Sequence, residues 1–198
     1  METKIIKKYY NKIAKEYTKK HGYGENLSIK SLEKFSFLLP QNSKVLDIGC
    51  GGGQDSKFLS GKSFNVLGID ISREMIKLAH KHDSKIDSKL MDVMDLPASK
   101  KFNGIWCSRV FHNISIKEQE KFIKKLNTLL TKNGVLYITS VVSDKKEDYE
   151  IFDLKDGGIL KKYLQAKTFK NILINNSFKI LKFRYWVGKR GMEIIAIK

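Results

Sequence analysis

The sequence predicts an α/β fold built on a doubly wound, mostly parallel sheet, and three observations predict it. From Val45 onward, short apolar runs alternate with amphipathic stretches of helical period, the pattern of strands that cross over through helices. A glycine-rich turn, Gly49-Cys50-Gly51-Gly52-Gly53, follows the first apolar run directly. The last two apolar runs, 178–187 and 192–198, are joined by a link too short for a parallel crossover, so they must form an antiparallel hairpin.

The elements follow in order. Residues 3–20 are a Lys- and Tyr-rich helix candidate, and 26–39 carry Leu27, Ile29, Leu32, Phe35, Leu38 and Leu39 at near-helical spacing before Pro40. A strand at 45–49 leads through the glycines to a helix over 54–61. Residues 64–69 are a second strand, and Ser72 is placed to cap a helix over 73–82. Residues 89–93 and 103–110 read as strands three and four. Ser115-Ile116-Lys117-Glu118 has the capping-box pattern and opens a helix over 116–131, which Asn133-Gly134 closes. A strand at 135–142 and a helix over roughly 159–176 lead to the closing hairpin.

Composition bounds the function. A chain of 198 residues fits one domain with a sizeable core, and 41% hydrophobic with 30% charged residues is the balance of a folded protein. No run of about 18 apolar residues occurs, so no membrane span or membrane partner is expected. The N-terminus lacks the continuous apolar stretch of a signal peptide, which makes a cytoplasmic location the expectation. Cys50 and Cys107 are too few for a disulfide framework or a cysteine metal site, and no metal-ligand spacing appears.

The net charge of +17 sits in the flanks. Residues 1–46 hold ten Lys against four acids, and 157–198 hold ten Lys or Arg against Glu193 alone. RNA would account for that excess. Compositional drift competes with it, because only Arg73, Arg109, Arg184 and Arg190 supply the bidentate fork that phosphate-reading surfaces favour.

The chemistry concentrates between residues 45 and 95. In an open α/β sheet, ligands bind beyond the carboxyl ends of the strands, and glycines there let the backbone approach closely. A dinucleotide fingerprint counted from Gly49 needs a third glycine where Gln54 stands, and the Gly-Lys-Ser/Thr ending of a phosphate loop is absent. Asp47, two residues before Gly49, instead suits a cationic ligand such as S-adenosylmethionine, which has no phosphate. Asp70 closes the second strand, where a carboxylate accepts both ribose hydroxyls. Asp92 closes the third and is placed to accept from an adenine amino group, with the Val93 N–H beside it.

The segments VLDIGCGGGQDSKFL, VLGIDISREMIKLAH, DVMDLP and GIWCSRVFHNI, in that order, resemble the class I S-adenosylmethionine-dependent methyltransferases, in particular their small single-domain type. The resemblance is strong over residues 40–142. It implies a Rossmann-like, seven-stranded sheet with a reversed terminal strand. It also implies a helical cap over 1–43, an adenosylmethionine-binding core over 44–142, and an acidic loop, helix and hairpin over 143–198. By position, Asp47, Gly49, Gly51 and Gly53 would line the methionine part, and Asp70 the ribose. Ile71 and Met75 would flank the adenine, Asp92 and Val93 would read its edge, and Ser108 would sit under the transferring methyl. Asn103 and Asn133 depart from the family pattern. The Asn/Asp-Pro-Pro-Tyr/Phe signature of nucleobase amine methylation is missing, with Ser108-Arg109-Val110-Phe111 in its place.

The acceptor is approached through charge. His112, following the fourth strand, is the candidate general base should the acceptor need deprotonation. Tyr9, Tyr10 and Tyr17 lie on the helix expected to close over the cofactor. Asp144, Glu147, Asp148, Glu150, Asp153 and Asp156 form an acidic run after the fifth strand. A loop there would face the substrate mouth and favour a neutral or amine-bearing small molecule. RNA, using the basic flanks, is the alternative acceptor, and a non-catalytic adenosylmethionine-binding module a third reading.

Overall fold

The computed structural model describes residues 2–21, 29–143, 145–153, 159–186 and 191–198. Two helices, α1 (Glu2–His21) and α2 (Ile29–Phe37), precede the alternating part. There β1 (Lys44–Ile48), α3 (Gln54–Gly61), β2 (Asn65–Asp70), α4 (Arg73–His82), β3 (Ser88–Leu90) and β4 (Phe102–Cys107) follow one another. Next come α5 (Ile116–Leu129), β5 (Leu130–Val142), β6 (Tyr149–Asp153), β7 (Ile159–Leu164), α6 (Ala166–Asn175), β8 (Lys179–Trp186) and β9 (Gly191–Ile197). Strands β3, β2, β1, β4 and β5 run parallel in that spatial order. Because β1 lies between β2 and β4, the crossovers diverge at its carboxyl end and open a crevice there.

Burial explains the two-sided cover. Val45 to Ile48 are all buried, the signature of a strand with helices on both faces. One face packs Phe122, Ile123 and Leu126 of α5 and Phe169 and Leu173 of α6. The other packs Leu32 and Phe35 of α2 and Leu59 of α3 around Trp106, whose ring stacks on Tyr137 at 3.7 Å and meets Phe35 edge-on.

The expected closing hairpin is present. β9 runs antiparallel to both β5 and β8. The sheet has more strands than the seven anticipated, and the extra ones replace part of the expected acidic loop and helix. Residues 149–153 are strand β6, residues 159–164 are strand β7, and the helix begins only at Ala166. The physical reason is an open edge. β4 pairs β5 only as far as Cys107 opposite Ile138, and with β9 on the other edge this leaves the β4-side edge of Val141 and Val142 without a partner unless another strand supplies one. Tyr163 and Leu164 of β7 pair there, and β6 pairs antiparallel with β7. Asp144 and Asp156 of the acidic run lie outside the described residues.

Two local expectations change. α5 ends at Leu129, and Asn133, with φ 61°, makes a left-handed turn within β5 instead of capping the helix. At its start, Ser115 Oγ donates to Glu118 Oε2 at 3.0 Å, so the capping pair closes side chain to side chain. Ser72 behaves as expected: its hydroxyl accepts from the Met75 N–H at 3.2 Å. The same hydroxyl donates to Asn11 Oδ1 at 2.8 Å, and that amide oxygen also accepts from the Glu74 N–H. Asn11 thereby fastens α1 across the start of α4, over the crevice.

Candidate functional site

A cavity occupies the crevice beyond the carboxyl ends of β1, β2 and β4, with α1 forming its wall through Ile6, Tyr10, Tyr17 and Thr18. The glycine turn is its floor. Gly49 adopts φ 69°, and a Cβ there would lie 2.3 Å from Val110 Cγ2, so no larger residue fits without rearrangement. Gly53 takes φ 84° where it precedes α3. Of the residues named from the sequence, Asp47, Gly49, Gly51, Asp70, Ile71, Met75, Asp92, Val93 and Ser108 all line this one cavity. Gly53 does not; a Cβ on it would meet Ile86 and Ala79, which makes it a packing position between α3 and α4.

The acids are held in distinct ways. Asp47 is 2% exposed, and its Oδ2 accepts from Ser56 Oγ at 2.6 Å. Burial, reinforced by the nearby Asp55 carboxyl, pushes the Asp47 acid up to about 8. Asp70 Oδ2 accepts from the Gly51 N–H at 3.0 Å and Oδ1 from the Ser72 N–H at 2.7 Å, which ties the second strand end to the glycine turn. Burial raises its carboxyl, and these N–H donors oppose the rise. Asp92 Oδ1 accepts from the Met94 N–H at 3.0 Å, capping the short 3-10 turn Val93–Asp95 that follows β3.

Three residues were not singled out as site residues from the sequence. Asp55, in the first turn of α3, lines the cavity and accepts from Trp106 Nε1 at 2.8 Å. Arg109 lines it with a left-handed backbone, φ 60°, held by its N–H donating to Thr139 Oγ1 at 2.7 Å. Asn113 lines it at 6% exposure. Their available signals were proximity to the glycine turn and to the end of β4.

His112 is placed differently from the expectation of a rim base. It is half-buried in the short 3-10 turn Phe111–Asn113, and it is not among the residues lining the cavity. Burial, with Lys161, Arg109 and Lys162 adding to it, lowers its imidazole to about 4. Of the acidic run, Glu147 and Asp148 do not line the cavity, and Asp148 is occupied by the Gln165 N–H and Thr168 Oγ1.

The cradle fits S-adenosylmethionine. A buried acid beside a glycine floor suits an ammonium, a strand-end acid suits a ribose, and Val93 and Met75, both buried, suit an adenine. Among the described residues no group of His, Cys, Asp and Glu could hold a metal. No helix among them is long and apolar enough to cross a membrane.

Comparisons with known proteins agree with this geometry. Residues 45–134 match the family model described as a methyltransferase domain. A ubiquinone biosynthesis O-methyltransferase of Pelagibacter ubique is 35% identical over 105 residues, covering 51% of this chain and 43% of that protein. The chain therefore matches less than half the length of that relative. A magnesium protoporphyrin IX methyltransferase from Synechocystis PCC 6803, solved with bound S-adenosylmethionine, superposes with a TM-score of 0.77 at 18% identity, covering 100% and 97% of the two chains. A Burkholderia thailandensis 1,6-didemethyltoxoflavin-N1-methyltransferase, solved with its substrate and S-adenosylhomocysteine, gives 0.71 at 16% identity, covering 96% and 89%.

Proposed function

We propose, from the methyltransferase-domain match over residues 45–134, that the chain is a class I S-adenosylmethionine-dependent methyltransferase that moves a methyl group from S-adenosylmethionine to a small-molecule acceptor by in-line displacement. The observation that carries the reading is the convergence of Asp47, Asp70 and Asp92 on one glycine-floored cavity under α1.

When bound, S-adenosylmethionine supplies a methyl already activated by its sulfonium. The protein's work is therefore alignment, and alignment alone supplies roughly 7–11 kcal/mol in well-oriented reactions. Asp47 holds the ammonium, Asp70 the ribose diol, and Asp92 with the Val93 N–H the adenine edge. Ile71 and Met75 would flank the ring, and Ser108, directly after β4, would face the reacting centre. The α1 residues Ile6, Tyr10, Tyr17 and Thr18 exclude water from above. In this reading residues 1–43 act as the lid of the site.

RNA as acceptor is a second reading. It draws on Lys30, Lys34 and Lys182, which flank an exposed Phe37 on the face shared by α2 and β8. Such a surface predicts binding that weakens steeply with salt.

Calorimetry with S-adenosylhomocysteine and with NADH tests the first reading. Micromolar binding of the thioether is expected; tight NADH binding with none of the thioether overturns it. Gel retention of bulk tRNA at two salt concentrations tests the second, and no retention at low salt removes it.

A further inference from the structure

The part of the cavity left after the donor residues are assigned has unusual chemistry. Asn113 Nδ2 donates to the Tyr10 hydroxyl at 3.2 Å, and more weakly to the Arg109 carbonyl at 3.5 Å. Its other amide atom, Oδ1, is buried and has no hydrogen-bond partner, an arrangement that costs free energy unless a ligand supplies a donor. Tyr10 accepts from Asn113, and its phenol is kept protonated by burial, with Tyr17 adding to the effect. Its O–H is therefore a donor. Beside them, the half-buried Arg109 guanidinium makes no hydrogen bond or ion pair among the described residues. Arg109 also sits on a left-handed backbone, the kind of strain that persists where surrounding structure enforces it. Among the described residues that line the cavity, Arg109 is the cation.

We propose that Tyr10, Arg109 and Asn113 form the acceptor-recognition pole, and that they select an anionic acceptor which also carries a hydroxyl. The hydroxyl donates to Asn113 Oδ1, and the anionic oxygen pairs with the Arg109 fork. This rests on the reading of the neighbouring acids as the donor site. It departs from the neutral or amine-bearing acceptor that the acidic run suggested, because Glu147 and Asp148 of that run do not line the cavity while Arg109 does.

The test uses the full chain saturated with S-adenosylhomocysteine, with 3-hydroxybenzoate, 3-hydroxybenzamide and 3-hydroxybenzylamine as probes in ligand-observed NMR titrations. The acid should bind about tenfold more tightly than the amide, a difference of about 1.4 kcal/mol. Arg109→Gln should equalise acid and amide, and Asn113→Leu should weaken both while abolishing the advantage of 3-hydroxybenzoate over benzoate. Equal binding of the three probes, a preference for the amine, an unaltered preference in Arg109→Gln, or no binding of any probe overturns the proposal. So does an Arg109→Gln variant that loses S-adenosylhomocysteine but retains 5′-methylthioadenosine, since Arg109 would then serve the donor's carboxylate. Failure of the wild-type chain to bind S-adenosylhomocysteine instead overturns the donor reading.

Discussion

The Ser56 hydroxyl donates to Asp47 Oδ2 at 2.6 Å, and this bond is the polar partner of a carboxyl otherwise walled in at the end of β1. Burial, reinforced by Asp55 and opposed by Ser56 and Arg109, pushes the Asp47 acid up to about 8, which favours its protonated form near pH 7. An arriving ammonium favours the ionised form. Binding of S-adenosylhomocysteine at pH 7 should therefore release a proton. Its affinity should rise with pH by up to about tenfold per unit until about pH 8. Calorimetry in phosphate and Tris, whose ionisation enthalpies differ, measures the release directly. Identical observed enthalpies in the two buffers would rule the linkage out.

The same carboxyl sets a stability slope. Its folded acid constant lies above the usual carboxylate value near 4, so between about pH 4 and 8 the native state holds a proton that the unfolded chain has lost. This group's contribution is present at low pH and is lost as pH rises toward 8. Asp47→Asn should thus raise the melting temperature relative to wild type at pH 8 by a few degrees, and leave it nearly unchanged at pH 4. It should also lower S-adenosylhomocysteine affinity at least tenfold. Thermal scans at the two pH values decide the matter, and an equal shift at both contradicts it.

Glycines 49 and 61 form a matched contrast. Gly49→Ala adds a Cβ 2.3 Å from Val110 at φ 69°, whereas a Cβ at Gly61 meets nothing within 4 Å. The first substitution should cost about 1–3 kcal/mol and weaken ligand binding. The second should be neutral or slightly stabilising, because Gly61 lies in the last turn of α3. Denaturant melts of the two variants give the comparison.

His112 makes a pH prediction with the opposite sign. Its imidazole is lowered to about 4, first by burial and then by Lys161 and Arg109, so the unfolded chain takes up a proton below about pH 6.5 that the folded chain refuses. Its contribution is present above that pH and is lost as pH falls toward 4. Turnover should accordingly show no inflection between pH 6 and 7. An inflection in kcat/KM near 6.5 that disappears in His112→Gln would reinstate it as the general base.

Legibility in the sequence followed local pattern. The turn Gly49 to Gly53, the Ser72 cap and the acids Asp47, Asp70 and Asp92 were readable because each role depends on a few adjacent residues. Strand β7 was not. The run Ile159–Leu164 extends into amphipathic sequence that suits a helix, and it becomes a strand because β4, which ends opposite Ile138, leaves the edge of Val141 and Val142 open. That is a tertiary fact. Arg109 and Asn113 were likewise hidden: nothing adjacent to them in sequence shows that Tyr10, 103 positions away from Asn113, meets its amide.

Glu193 shows how a compositional oddity can conceal a structural one. As the single acid in the basic C-terminal flank it stood out in the sequence, and in the fold it is 3% exposed. Its Oε1 accepts from Arg184 Nε at 2.8 Å, and its Oε2 accepts from Ser31 Oγ at 2.8 Å and Tyr137 OH at 3.0 Å. One carboxylate thereby joins β9, β8, α2 and β5. Removing the cation alone strands a buried charge. Loss of such a partner costs about 3–5 kcal/mol when both groups are buried, and solvent around the half-exposed Arg184 should reduce this to about 2 kcal/mol. Arg184→Met should therefore destabilise the chain by about that amount, and Arg184→Met with Glu193→Met should recover part of the loss. Urea melts of both single variants and the double variant complete the cycle, and strict additivity would show that the pair is uncoupled.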